Sequence, residues 1–257
     1  MPGGLCIFTR TSASLLRGNH EMKKIIFTSI LFSVIISCSN YNVALLNHHG
    51  DKKEFSAMVD TILKYIPPEM EIYNLKKGDT IADIGIGMGL LEGVCAILYD
   101  SITIYAVDIN KKALRKIKKV AENFAKMRSK THTLTIIPVK GSAGATNLAE
   151  ASVEKLILRN TFHEVEEKEK MLQDIRRVLK DEGTFYLIES YAEKFAFKAE
   201  CTGTIMTIAE YKDLLLKNGF KIIAEHYLSS NAGYSFPHTS KEQKVGLICF
   251  VIKKFTA

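Results

Sequence analysis

The sequence predicts an α/β domain, a mainly parallel sheet with helices on both faces. Two observations carry this. Short runs of β-branched and apolar residues alternate along the chain with longer segments whose apolar residues recur at helical spacing. The chain also has 257 residues, 47% apolar and 25% charged, enough for one large buried core. That composition excludes collagen, a disordered tail and a disulfide mini-protein. Of the formal charge of +7, residues 1–37 carry +3 (Arg10, Arg17, Lys23 and Lys24 against Glu21), leaving +4 for residues 38–257. This mild excess is too weak by itself to argue for a nucleic-acid partner, and there is no Trp and no run interleaving basic and aromatic residues.

The first element is an apolar run, Ile25 to Ile36, preceded by Met22-Lys23-Lys24 and followed by Ser37-Cys38-Ser39-Asn40. At its length it reaches ~18 Å as a helix, short of the ~30 Å of a bilayer's hydrocarbon core. Lysines, a short apolar stretch and a small residue before the break are the parts of a secretory signal. Ile35-Ile36-Ser37-Cys38 resembles a bacterial lipobox. That resemblance implies a signal peptide over 22–37, lipidation of Cys38, a tether through residue 53 and a membrane-anchored place in the bacterial cell envelope. Residues 1–21 precede this signal and are expected to be an upstream extension, with translation starting at Met22. The alternatives are a core segment with an incidental cysteine, and a cytoplasmic protein if the signal is unused. Cys95 and Cys249 sit in apolar segments and read as small core hydrophobes. No Cys/His spacing suggests a metal, and His48-His49 lacks a nearby third ligand.

The domain is expected over residues 54–257. Asp51 is placed to cap a helix with Phe55, Met58, Val59, Ile62, Leu63 and Ile66 on one face, ended by Pro67-Pro68. Thr80–Ile84 predicts the first strand, 88–99 a helix, and Ile102–Val107 the second strand. Asn110 caps a long helix to about Arg128 that buries Leu114, Ile117, Val120, Ala121 and Phe124. Its Lys111, Lys112, Arg115, Lys116, Lys118 and Lys119 form a solvated or head-group-facing side. Thr133–Val139 is a third strand, at an edge because of Pro138, and Val153–Leu158 a fourth. A helix over Lys168–Leu179 is expected to end with Gly183 in the left-handed C′ position, before a fifth strand, Thr184–Ile188. Thr207-Ile208-Ala209-Glu210 is a capping box for a helix stopping at Gly219. Lys221–His226 and Val245–Lys253 complete the set as an antiparallel pair.

Ligands of such sheets bind beyond the carboxyl ends of the strands, next to the first one. There the chain reads Asp83-Ile84-Gly85-Ile86-Gly87-Met88-Gly89. Glycines at alternate positions permit a tight turn and close backbone approach, and the helix that follows offers free N–H groups. The next strand ends in Asp108, a carboxylate suited to two vicinal ribose hydroxyls. A dinucleotide fingerprint needs a glycine at position 90, which is Leu90.

D-x-G-x-G-x-G resembles motif I of class I S-adenosylmethionine-dependent methyltransferases of the small-molecule type. The likeness extends over about residues 54–253, through Gly78-Asp79, Asp108-Ile109 and Leu179-Lys180-Asp181-Glu182-Gly183. It implies a Rossmann-like fold with a seven-stranded sheet in the order 3-2-1-4-5-7-6 and S-adenosylmethionine as cofactor. It places Gly85, Gly87 and Gly89 beneath the methionine part, Asp83 near its amino group, Asp108 on the ribose and Ile109 on the adenine. Ser142 stands where the family often has an acid for the adenine amino group. In Arg159-Asn160-Thr161-Phe162-His163-Glu164, Asn160 would approach the methionine end. His163 and Glu164 are the nearest candidates for a base, with a capping or supporting histidine as the other reading. Tyr191–Met206 and 229–238 are candidates to cover the substrate, with ordinary core packing as the other reading of their aromatic residues. The implied partner is a small-molecule methyl acceptor. The runner-up is a non-catalytic, lipid-anchored binding protein that keeps the nucleoside site.

Overall fold

The computed structural model describes residues 52–198, 203–228 and 245–255. The signal-like run, Cys38, Asp51, Cys201 and the loop 229–238 lie outside them. The elements are α1 (Lys52–Tyr65), α2 (Pro67–Tyr73), β1 (Thr80–Ile84), α3 (Leu90–Leu98), β2 (Thr103–Asp108), α4 (Lys111–Lys126), β3 (Thr135–Lys140), β4 (Val153–Arg159), α5 (Lys168–Val178), β5 (Leu179–Ala192), β6 (Phe197–Lys198), β7 (Thr204–Ile205), α6 (Ile208–Lys217), β8 (Phe220–Leu228) and β9 (Val245–Lys254). A single 3₁₀ turn, Phe162–Glu164, follows β4.

One seven-stranded sheet runs β3-β2-β1-β4-β5-β9-β8, and β6-β7 form a small hairpin of their own. Counting only the strands of the large sheet, the order is 3-2-1-4-5-7-6, as the family resemblance implies. β1 to β5 are parallel, and β9 inserts antiparallel between β5 and β8. This is the Rossmann-like methyltransferase fold. Successive residues point to opposite faces, so each strand feeds two cores. Ile81, Ile104, Ile157 and Cys249 pack with α1 to α4 on one face. Ala82, Leu156, Leu158, Phe185 and Phe250 pack with α5 and α6 on the other.

The punctuation follows from local chemistry. The Asn110 side chain accepts from the Lys112 N–H at 2.9 Å and opens α4, whose five expected inward residues are buried. Thr207 and Glu210 close a reciprocal capping box on α6. β3 lies at the edge of the sheet, where Pro138 removes no needed ladder bond. Pro67 and Pro68 end α1 but also begin α2, a helix the sequence reading lacks, because proline at the first helical positions gives up only an N–H that has no partner anyway.

Gly183 corrects one expectation. It is not the left-handed residue after α5. Leu179 caps that helix in extended geometry, and β5 starts at once. Gly183 falls in an irregularity of β5 opposite Val153 to Lys155, where a Cβ would stand 2.6 Å from Cγ of Leu179. The glycine is needed for space beside Leu179, not for a turn.

Candidate active site

β1 and β4 are neighbours, and the chain leaves them toward opposite edges of the sheet, so a crevice opens beyond their carboxyl ends. The crevice is a cavity of about 640 Å³. Asp83, Gly85, Gly87, Asp108, Ile109, Ser142, Asn160, His163 and Glu164 all line it. Nine of the ten site residues expected in the domain therefore share one pocket, although they come from the ends of three strands and three loops. Gly89 is the exception. It caps α3 at φ 79°, and a Cβ there would run into Ile117 and Val120 of α4. Its place is at the helix–helix contact rather than at the cavity wall.

The glycine turn is held by the strands it joins. Gly85 N–H and Ile86 N–H both donate to Val107 O, at 2.8 and 3.4 Å. Gly85 and Gly87 have φ of 78° and 52°, values that side chains disfavour. A Cβ at Gly85 would collide with Thr161, whereas one at Gly87 would meet nothing nearer than Gly85 O at 4.0 Å and would project into open space. Asp108 is fixed across the turn. Its Oδ2 accepts from Gly87 N–H at 3.2 Å and its Oδ1 from Asn110 N–H at 2.6 Å. Gly141 N–H donates to Asp108 O at 3.1 Å and brings Ser142 to the same wall. Ile109 beside it is 64% exposed, an apolar side chain over the cavity mouth. Asn160 adopts φ 48° at the end of β4, a left-handed conformation that asparagine tolerates better than most residues.

Carboxyls dominate the electrostatics. Burial, then the charge of Asp108, pushes Asp83 up to about 7, against a downward pull from Arg159. Burial also raises Asp108, opposed by the N–H groups of Asn110 and Gly87 and by Lys140. Behind the turn, Glu92 of α3 is fully buried, and neither oxygen has a hydrogen-bond partner among the described residues. Burial, then Asp83, holds its carboxyl well above the usual range. Arg159 lines the cavity and is clamped by Glu69 of α2 through two bonds, at 2.7 and 3.0 Å.

Sequence reasoning missed Glu189. It ends the apolar run of β5, is fully buried, and accepts from Phe162 N–H at 2.6 Å and His163 N–H at 3.4 Å. His163 Nδ1 lies 2.9 Å from its other oxygen. The available signal was an acid at the carboxyl end of an otherwise apolar strand. Burial lowers the His163 pKa, but the charge and hydrogen bond of Glu189, helped by Glu164, outweigh it and leave it raised. Glu164 is the more distant partner, 3.8 Å from Nε2. The candidate covering segment behaves differently: Tyr191, Phe195, Ile205 and Met206 do not line the cavity, and Tyr191 meets Tyr227 edge to face instead.

Residues 82–187 match the protein family described as "Methyltransferase domain". They include every cavity residue expected from the sequence. Over these residues the chain is similar to a methyltransferase domain. Solved structures share its fold. A S-adenosylmethionine-dependent methyltransferase from Aquifex aeolicus is 17% identical, with a TM-score of 0.56 over 79% of this chain and 98% of that one. The [4+2]-cyclase SpnF is 16% identical, with a TM-score of 0.57 over 92% and 95%. An O-methyltransferase from a Brevibacillus brevis multienzyme, in complex with S-adenosylhomocysteine, is 14% identical, with a TM-score of 0.57 over 83% and 79%. At such identities the chain shares the fold alone with these proteins. No curated protein sequence matches this chain.

Proposed function

We propose that the domain binds S-adenosylmethionine in this cavity and directs its methyl group to a small-molecule acceptor. The observation that carries this reading is Asp108, locked by the Gly87 N–H across the glycine turn and facing the same cavity as Asp83 and Asn160. The donor set fits the ligand. A cation with a vicinal diol meets three carboxyls, Asp83, Asp108 and Glu164, around a floor at Gly87 that a side chain would fill. Asp108 would hold the ribose hydroxyls, Ile109 would cover the adenine, and the Ser142 hydroxyl would accept from its amino group. Asp83 and Asn160 would hold the methionine end over Gly85 and Gly87.

When bound, S-adenosylmethionine supplies a sulfonium methyl group, whose carbon takes the acceptor's lone pair while the carbon–sulfur electron pair stays on sulfur. The protein's part is to exclude water and align the groups, which contributes up to ~7–11 kcal/mol. Calorimetry of the full-length chain with S-adenosylmethionine and S-adenosylhomocysteine tests the reading. Both are expected to bind, with Asp108→Ala at least tenfold weaker; absence of binding by either ligand refutes it.

One observation favours a second reading, a non-catalytic binding protein. Ser142 offers a hydroxyl, itself donating to Ala145 O at 3.4 Å, where a carboxylate would bind more tightly. Binding of both ligands without turnover on any acceptor would support it. The order of lysines, apolar run and cysteine at residues 22–38 supports a lipid anchor at Cys38 and an envelope location. Labelled palmitate incorporated by the wild-type chain and not by Cys38→Ala is the expected result.

A further inference from the structure

We propose that His163 is the base that takes the acceptor's proton, that Glu189 is the residue that positions it, and that the acceptor therefore presents a neutral hydroxyl. This rests on the methyl-transfer reading above and assigns the substrate class of the same site.

The tautomer of His163 follows from its partner. A carboxylate is an acceptor only, so the 2.9 Å contact between Nδ1 and Glu189 requires the hydrogen on Nδ1. Nε2 then carries the lone pair. The ring cannot turn away from this arrangement. Glu189 also accepts the main-chain N–H of Phe162 and of His163, so carboxylate and backbone are fixed together. On the far side Gly203, just before β7, lies close to the ring, since a Cβ there would stand 2.6 Å from His163 Cδ2. His163 lines the cavity, and Nε2 is the ring nitrogen that Glu189 does not engage. The charged and titratable groups around the pair are few. Glu164 Oε1 is 3.8 Å from Nε2. Lys168 Nζ is turned to Val165 O at 2.6 Å and His163 O at 3.4 Å. Tyr211 of α6 donates to Ser190 O at 3.1 Å.

A base held this firmly matters only for a nucleophile that arrives protonated. Thiols ionise near neutral pH unaided. A carboxylate acceptor would meet Asp83, Asp108 and Glu164 and be repelled. An amine among the same carboxyls would be kept as the ammonium, with no lone pair to give. A hydroxyl is neutral on entry, and its proton can pass to Nε2 as its oxygen takes the methyl group. The resulting imidazolium is stabilised by the Glu189 side chain 2.9 Å from Nδ1.

The test has two parts, both on the full-length chain. The first is ¹⁵N-histidine NMR with S-adenosylhomocysteine added. His163 should show a protonated Nδ1 and a bare Nε2 when neutral. Its titration midpoint should lie above that of an ordinary histidine, fall in Glu189→Gln, and recover in part in Glu189→Asp. An unchanged midpoint in Glu189→Gln, or the hydrogen on Nε2, overturns the assignment. The second part offers phenol, benzylamine, thiophenol and benzoate as acceptors. Methylation of phenol alone is expected, rising with pH through the His163 midpoint, with kcat about tenfold or more lower in Glu189→Gln and cofactor affinity unchanged. Methylation of another member in its place, or of none while S-adenosylmethionine binds, overturns the substrate class. Failure of S-adenosylmethionine to bind would instead sink the methyl-transfer reading itself.

Discussion

Two carboxyls, Asp83 and Glu92, are removed from water behind one glycine turn, and they differ in what they can meet. Asp83 opens onto the cavity and Glu92 does not. With its pKa near 7, Asp83 holds a proton in mildly acidic solution and cannot then offer a charge to an ammonium group. Affinity for S-adenosylmethionine should accordingly tighten as pH rises from about 5.5 to about 7.5. Each binding event should release part of a proton over that range. Calorimetry in two buffers of different ionisation enthalpy reads the release, and Asp83→Asn should reduce both it and the pH dependence. Glu92 has no such use. A fully buried carboxyl with neither oxygen paired costs ~1–3 kcal/mol, and an apolar side chain of similar length does not. Glu92→Met should therefore raise stability by about that amount in urea unfolding. A loss of stability would mean that the carboxyl has a partner.

At the scale of elements, the site depends on how closely α3 approaches α4. Gly93 lies under the ring of Phe124, where a Cβ would be 2.6 Å from Cγ. The ring is packed in the core and has little room to move. Gly93→Ala should thus force the helices apart and cost ~1–3 kcal/mol, outweighing alanine's higher helix propensity. A stability equal to or above wild type, by thermal or urea unfolding, would show that the two helices yield. Features of this kind decide what was legible beforehand. β1, β2 and β4 announce themselves by apolar β-branched runs, α4 and α6 by their caps, and the Asp83 to Asp108 pattern by local spacing within a single βαβ unit. The His163–Glu189 pair was not legible, because its members stand 26 residues apart and meet only where β4 and β5 lie side by side. The lysines of Lys155 and Lys180 illustrate the same limit. One closes on Asp79 at 2.6 Å and the other on Glu154, tying the amino ends of the strands together through contacts that no periodicity signals. Gly183 was misread because a glycine after a helix usually turns the chain, and only the neighbouring Leu179 side chain reveals a demand for space instead.

For the whole molecule, the buried acids and His163 act in one direction on stability. A carboxyl whose pKa is raised on folding binds a proton that the unfolded chain has released, so stability falls as pH rises between the ordinary carboxylate range and the folded value. For Asp83 that window runs from about 4 to about 7, and its contribution is at most ~4 kcal/mol. Glu92 and Glu164 shift the same way. His163, raised by Glu189, adds stability below its unfolded value that is lost as pH climbs through its folded one. Glu154 and Asp174 are lowered, but their effect lies below about pH 4 and leaves the neutral range untouched. The ligand-free protein should consequently unfold at a lower urea concentration at pH 8 than at pH 5. Asp83→Asn should flatten much of that slope, because an amide has no proton to lose. Added S-adenosylmethionine should stabilise the protein more at pH 8 than at pH 5, since the ammonium then meets a charged Asp83 and binding energy adds to folding energy. A urea midpoint that is level or rising from pH 5 to pH 8, in wild type and Asp83→Asn alike, would mean that the carboxyls behind the glycine turn are solvated, and that the cavity floor is not the dry, acid-lined surface on which the proposed cofactor binding rests.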